Sequence, residues 1–284
     1  MPKKTILDFL EMKRTGQKIV FLTGYDAMMA SFEEKAGVDM ILVGDSVGNT
    51  KLGYSSTIPV TMEEMLVFSK AVRRGAPNTF IIGDMPFMSY QASIQDAVRN
   101  AGRFIKEAEC DAIKLEGGAL YAPVVKAISD AGMLVMGHIG LTPQSAAKFG
   151  GWRAQGRSAE AAVKLVEDAL ALEAAGAFSI LLEGIPGPVA KVIAEKCSIP
   201  ILGIGAGLPC DGQLLIVYDM LGMFELFKPK FVKRYADLAT VIVDAMKKYA
   251  EEVRGGLFPD PPHEYKMPPQ EEEAFYRLLK DNSR

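Results

Sequence analysis

Cysteine and histidine are scarce in this chain of 284 residues, which has three of the first (Cys110, Cys197, Cys210) and two of the second (His138, His263). Three cysteines without C-x-x-C spacing exclude a disulfide framework and a zinc knuckle, and they suit a reducing compartment. Charge of one sign is lacking as well, since 35 acids against 32 bases leave a net charge of −3. That balance offers no electrostatic footprint for nucleic acid or for an anionic membrane. No apolar run approaches the roughly 18 residues that a membrane helix needs. The opening residues MPKKTILDFLEMKRTG contain no apolar segment of signal-peptide length and read as a short amphipathic helix. A soluble, cytoplasmic protein is expected, and its length suffices for one large domain with a sizeable core.

What the sequence does have is rhythm. Eight short apolar runs recur: KIVFLTG from Lys18, DMILVGD from Asp39, TFIIGD from Thr79, DAIKLEGG from Asp111, MLVMGHIG from Met133, FSILLEG from Phe178, PILGIGAG from Pro200 and QLLIVYD from Gln213. Helical patterns such as TMEEMLVFSKAVRRG and SAEAAVKLVEDALALEAAG lie between most of them, and several end in the glycine that stops a helix. Eight strands alternating with helices predict a parallel (β/α)8 TIM barrel over residues 1–258, with an N-terminal helix and a C-terminal extension over 259–284. A doubly wound open sheet is the alternative, because repetition alone does not show closure. Residues 139–157 interrupt the rhythm as a long Gly-rich connection of the kind that often serves as a functional lid. The tail from Phe258 is Pro-rich, then acidic, then helical, and is expected to pack on the surface or on a neighbouring subunit.

In such a barrel the chemistry collects where strands end. Those ends read Asp45, Asp84, Lys114 with Glu116, His138 and Glu183. Several carboxylates on one rim repel one another unless a cation joins them, and oxygen ligands suit a hard ion such as Mg2+. Alternation along DAIKLEGG puts Ala112, Lys114 and Glu116 on one face and Ile113 and Leu115 on the other. A structural salt bridge for the Lys114–Glu116 pair, and a helix N-cap for Asp45 or Asp84, are the competing readings. VGDSVGN also spells Gly-x-Ser-x-Gly, the turn that presents a nucleophilic serine in hydrolases. A triad needs an acid and then a histidine after Ser46. His138 has only Asp84 or Asp111 before it, His263 lies in the tail, and no HGGG-type oxyanion segment exists, so the hydrolase reading fails. GIGAG at 203–207 fits either a phosphate-cradling turn or close packing of a neighbouring element.

GDSVGN followed by GYSSTIPVT, then GDMPFMSY, KLEGG, GHIGLTPQS, LLEGIP, GIGAG-x-x-x-DGQ and PKFVKRY closely resemble the ketopantoate hydroxymethyltransferase family, in order and spacing, from about residue 3 to 258. The resemblance implies a barrel of the phosphoenolpyruvate mutase/isocitrate lyase-like superfamily. Its activity would be hydroxymethyl transfer from 5,10-methylenetetrahydrofolate to 3-methyl-2-oxobutanoate in pantothenate and coenzyme A synthesis. It further implies Mg2+, small-molecule oxo acid and folate as ligands, no nucleic acid or membrane partner, and a homodecamer. Carried over by position, Asp45, Asp84 and Glu116 are the metal positions, the two aspartates also lying in the substrate site. Ser46 and Lys114 hold the keto acid's carboxylate, His138 is a polar partner in the pocket, and Glu183 is the catalytic base. Ser55 stands where the family usually has Asp, and Leu208-Pro209-Cys210 and the tail are atypical. Rival readings are a related Mg2+ barrel that cleaves oxo acids and a catalytically silent barrel serving as a binding or assembly protein.

Overall fold

The computed structural model describes residues 3–227 and 229–281, with Phe149 by its backbone alone. All eight apolar runs form strands: β1 Ile19–Thr23, β2 Met40–Val43, β3 Phe80–Asp84, β4 Ala112–Glu116, β5 Val135–Gly140, β6 Ser179–Glu183, β7 Ile201–Ile204 and β8 Gly212–Leu215. Each pairs in parallel with the next, and β8 returns to β1 through Ile19↔Gly212 to Leu22↔Leu215, which closes the barrel. Closure settles the choice that repetition left open. Strands enclosed on both faces are apolar throughout, and β2 to β7 are buried at every residue.

Local chemistry sets where the helices begin. Thr61 and Glu64 form a reciprocal cap at the start of Met62–Gly75, and Ser93 and Ser158 cap Ile94–Ala108 and Ala159–Ala174 with side-chain oxygens. Alternation along the strands then sorts side chains into two apolar layers. Ile113 and Leu115 join the outer layer beneath the helices, whereas Ala112 lies in the inner layer with Phe21, Met40 and Leu181. Gly83 has no side chain because the ring of Phe104 occupies the space a Cβ would need. The N-terminal helix Ile6–Thr15 contributes Phe9 to the inner layer, where it meets Phe80 edge-on at 5.2 Å, and Phe80 in turn lies 5.8 Å from Phe178. At the same strand-start end, Asp111 accepts the Ile81 N–H and pairs with Arg73 at 2.5 Å, so that acid is structural.

After β8 comes a four-residue helix, Val217–Met220, and then an irregular stretch to Ala236. Compactness divides the chain into Met1–Ala236 and Asp237–Arg284. Helix Leu238–Arg254, which the sequence pattern grouped with the barrel, thereby falls in the second unit. That unit also contains helix Pro269–Asp281, and in it the ring of Phe258 packs edge-on against Tyr249 at 5.5 Å. No helix among the described residues is long and apolar enough to cross a membrane.

Candidate active site at the barrel mouth

Register brings the strand-end residues together. Asp84 is the partner of Lys114 across β3–β4, Glu116 the partner of His138 across β4–β5, and Gly140 the partner of Glu183 across β5–β6. Inward-facing side chains on neighbouring parallel strands therefore share one rim. Asp45 and Ser46 arrive in the turn after β2, where the Asp45 N–H donates to Asp84 Oδ2 at 3.0 Å. All seven residues singled out in the sequence line one cavity of about 710 Å³.

The charges interlock. Lys114 Nζ is 2.7 Å from Asp84 Oδ1, 3.6 Å from Glu116 Oε1 and 3.3 Å from His138 Nδ1. His138 Nδ1 lies 3.4 Å from Glu116 Oε1, and its Nε2 lies 3.2 Å from Glu183 Oε2. Burial, reinforced by Asp84 and Glu116, holds the Asp45 carboxyl well above the ordinary carboxylate range. Burial raises Asp84 too, although Lys114 opposes it. For Glu116 burial is outweighed by Lys114 and His138, and its carboxyl is lowered. Against burial, the three acids raise Lys114, which stays cationic. Against burial and Lys114, contacts with Glu116 and Glu183 raise His138 to about 9. Three buried carboxyls around one ammonium do not all ionise cheaply, and a further cation at this rim would relieve that cost.

Three positioning residues were not singled out in the sequence. Gln144, from the 3₁₀ turn Pro143–Phe149 in the long connection after β5, donates from Nε2 to Asp45 Oδ2 (3.0 Å) and to Met85 O (2.9 Å). Its backbone N–H donates to Glu116 Oε2 at 3.0 Å. Tyr90 O–H lies 2.8 Å from Gln144 Oε1 and accepts the Glu116 N–H at 3.1 Å. Tyr25 shares a hydrogen bond of 2.7 Å with the Ser46 hydroxyl. The only signals in the sequence were that Gln144 stands in the long loop and Tyr90 in the GDMPFMSY run.

Ser46 makes no histidine contact among the described residues, and its backbone (φ −55°, ψ −13°) lacks the strain of a nucleophile elbow. GIGAG serves close packing: Gly205 has φ +65°, and a Cβ there would come within 2.6 Å of the Phe231 ring.

The acid cluster fits a hard divalent cation of partial protein coordination. Asp84 Oδ1 and Glu116 Oε1 are buried without a hydrogen bond of good geometry, despite the nearby Lys114. Among the described residues no group of three or more acid, histidine or cysteine side chains is placed to hold a metal ion by itself. Mg2+ is usually held by one or two carboxylates, with water and substrate completing its shell. Asp45, Asp84 and Glu116 all present oxygens to this rim, each with Gln144 or Lys114 as a neighbour.

Fold and site together define a barrel enzyme whose rim gathers acids, a lysine and a histidine in one cavity. The family model of ketopantoate hydroxymethyltransferase matches residues 3–261. The 3-methyl-2-oxobutanoate hydroxymethyltransferase of Alkaliphilus metalliredigens is 54% identical over 279 residues, covering 98% of each chain. That of Carboxydothermus hydrogenoformans is 51% identical, covering 97% of this chain and all of its own. This chain belongs to the ketopantoate hydroxymethyltransferase family, whose members transfer a hydroxymethyl group in pantothenate synthesis. Among solved structures, phosphonopyruvate hydrolase with oxalate and Mg2+ superposes with a TM-score of 0.61 at 12% identity, covering 100% of this chain and 99% of that one. A 2,3-dimethylmalate lyase of the PEP mutase/isocitrate lyase superfamily superposes at 0.57 with 14% identity, covering 97% and 98%. At these identities the likeness is one of fold.

Proposed function

We propose that the enzyme passes the one-carbon unit of 5,10-methylenetetrahydrofolate to 3-methyl-2-oxobutanoate, giving 2-dehydropantoate, with Mg2+ at Asp45, Asp84 and Glu116. The observation that carries this reading is the joint convergence of Asp45, Asp84, Lys114, Glu116, His138 and Glu183 on one cavity wall from consecutive strand ends. The Ser46 hydroxyl and Lys114 ammonium receive the oxo acid's carboxylate. Bound Mg2+ supplies Lewis acidity at the carbonyl oxygen. Glu183 takes the C3 proton, and His138, charged up to about pH 9, fixes one carboxylate oxygen at 3.2 Å. Lys114, also cationic, offsets the negative charge of the enolate. Water cleaves both carbon–nitrogen bonds of the folate's methylene carbon, its two protons going to the folate nitrogens. The enolate carbon adds to the formaldehyde so released, while the proton taken by Glu183 passes to the new alkoxide oxygen. Water supplies the hydroxyl oxygen and tetrahydrofolate leaves.

The relatives of more than 50% identity support this chemistry over oxo-acid cleavage, for which only fold likeness speaks. Three free, buried cysteines accord with a cytoplasmic setting, and the unburied Val241, Ile242 and Met246 accord with a homodecamer that covers them. The test is a coupled assay for 2-dehydropantoate. Product should form only with oxo acid, methylenetetrahydrofolate and Mg2+ together. Turnover of lyase substrates with none of this product would reject the reading.

A further inference from the structure

The cavity is larger than the oxo acid needs, and its two halves differ in chemistry. A volume of about 710 Å³ is in the range that holds a drug-sized ligand. The charged residues occupy the side built by β2 to β6. The side built by β7, β8 and the segment after them is mostly apolar, with Ile204, Ile216, Phe224 and Phe231, and contains two charged residues, Asp219 and Lys230. Asp219 follows β8 in helix Val217–Met220, where the Val217 N–H is anchored on the Thr23 hydroxyl at 3.1 Å. The Asp219 side chain is buried, yet among the described residues its carboxylate accepts no hydrogen bond and forms no ion pair within 4 Å. Arg234 acts on it only at longer range, and burial raises its carboxyl to about 6, so it is an anion at neutral pH. The carboxylate lines the cavity without a protein hydrogen-bond partner, so donors of a ligand there meet a free acceptor.

Resting on the folate reading above, we infer that Asp219 is a specificity-determining residue that accepts the two-donor edge of the pterin, its ring N–H and 2-amino group. The ring lies in the apolar half beside Phe224 and Phe231. The chemistry supports this on three counts. A carboxylate has two acceptor oxygens and no donor, the complement of an aminopyrimidinone edge. The ring is planar and apolar on its faces, which suits phenylalanine walls. The subsite also adjoins the proposed base, because Ile204 of the apolar half is the register partner of Glu183 across β6–β7.

Asp219→Asn keeps size but replaces one acceptor oxygen by a donor. Tetrahydrofolate binding is read from Trp152, the only tryptophan in the sequence, which lines the same mouth. The expected result is binding weaker by about 10- to 100-fold, with the KM for methylenetetrahydrofolate raised in proportion. Exchange of the oxo acid's C3 hydrogen with deuterated water, measured with Mg2+ and no folate, should be unchanged. Unaltered tetrahydrofolate binding in the variant overturns the inference. Loss of exchange together with binding also overturns it, by assigning Asp219 to the scaffold. If the wild-type enzyme itself neither binds tetrahydrofolate nor uses methylenetetrahydrofolate, the folate reading fails first and this inference with it.

Discussion

Glu183→Gln separates the base from its surroundings. The amide fits the same space beneath the mouth and can still meet His138, but it cannot accept a proton at C3. General bases contribute about 10²- to 10⁴-fold, so exchange of the oxo acid's C3 hydrogen should fall by that factor, with or without folate. The structure adds a second readout. Glu116 and Glu183 together hold His138 up at about 9 against burial and Lys114. Removing the Glu183 charge leaves Glu116 alone, so His138 should titrate at lower pH, back toward its ordinary 6.5. With a folded value above the unfolded one, His138 contributes stability that is complete below about 6.5 and is lost as pH rises through about 9. In the variant that window should narrow from its upper end. With only one other histidine in the chain, NMR can follow both the exchange and the imidazole titration. Near-wild-type exchange in a folded variant would refute the assignment. Lost exchange with an unmoved His138 titration would refute the electrostatic coupling.

Gln144→Leu keeps volume but strips Asp45 and Met85 of a shared donor and Tyr90 of a partner. Residues that orient metal ligands typically govern about 10- to 100-fold in affinity, so the Mg2+ concentration for half-maximal exchange should rise by that much, and an unchanged Mg2+ titration would contradict it. Glu33 of helix Ala27–Ala36 is buried with neither oxygen hydrogen-bonded among the described residues, and burial, with Asp26 nearby, raises its carboxyl to about 8. Because that value lies above the ordinary 4.5, the stability associated with the protonated form is lost as pH rises through about 8. Glu33→Gln should therefore stabilise the fold by about 3 kcal/mol at pH 7, from 1.36 kcal/mol per pH unit, and by almost nothing at pH 4. Urea denaturation at the two pH values checks it, and equal effects at both would dismiss the buried charge as the cause.

The barrel and its rim were legible because both are written in short-range patterns. Strand runs, helix caps and the two-residue alternation of DAIKLEGG determine which side chains face inward, and parallel register then aligns Asp84 with Lys114 and Glu116 with His138. Closure was not legible, since β1 and β8 pair across nearly the whole first unit. Nor was Gln144, whose bond to Asp45 spans 99 positions and depends on how a long loop folds back. Glu33 sits in the sequence FEEK, where its neighbour Glu34 is accessible; only the packing of Gly24 and Ile41 reveals which acid is buried. Asp219 closes the eighth apolar run, QLLIVYD, but its place on the cavity wall came only with the fold of the short helix after β8.

The aromatic stack of Phe9, Phe80 and Phe178 has a kinetic corollary. With that end filled, traffic passes through one opening, and exposure grades along it from Asp84 at 1% and Glu116 at 2% to Phe227 at 51% and Trp152 at 55%. A dead-end shaft imposes a queue. On the proposed function, the oxo acid would enter first, the larger folate would follow it, and the product would wait until tetrahydrofolate has gone. Steady-state patterns should thus be those of compulsory order, with the carrier as first product out.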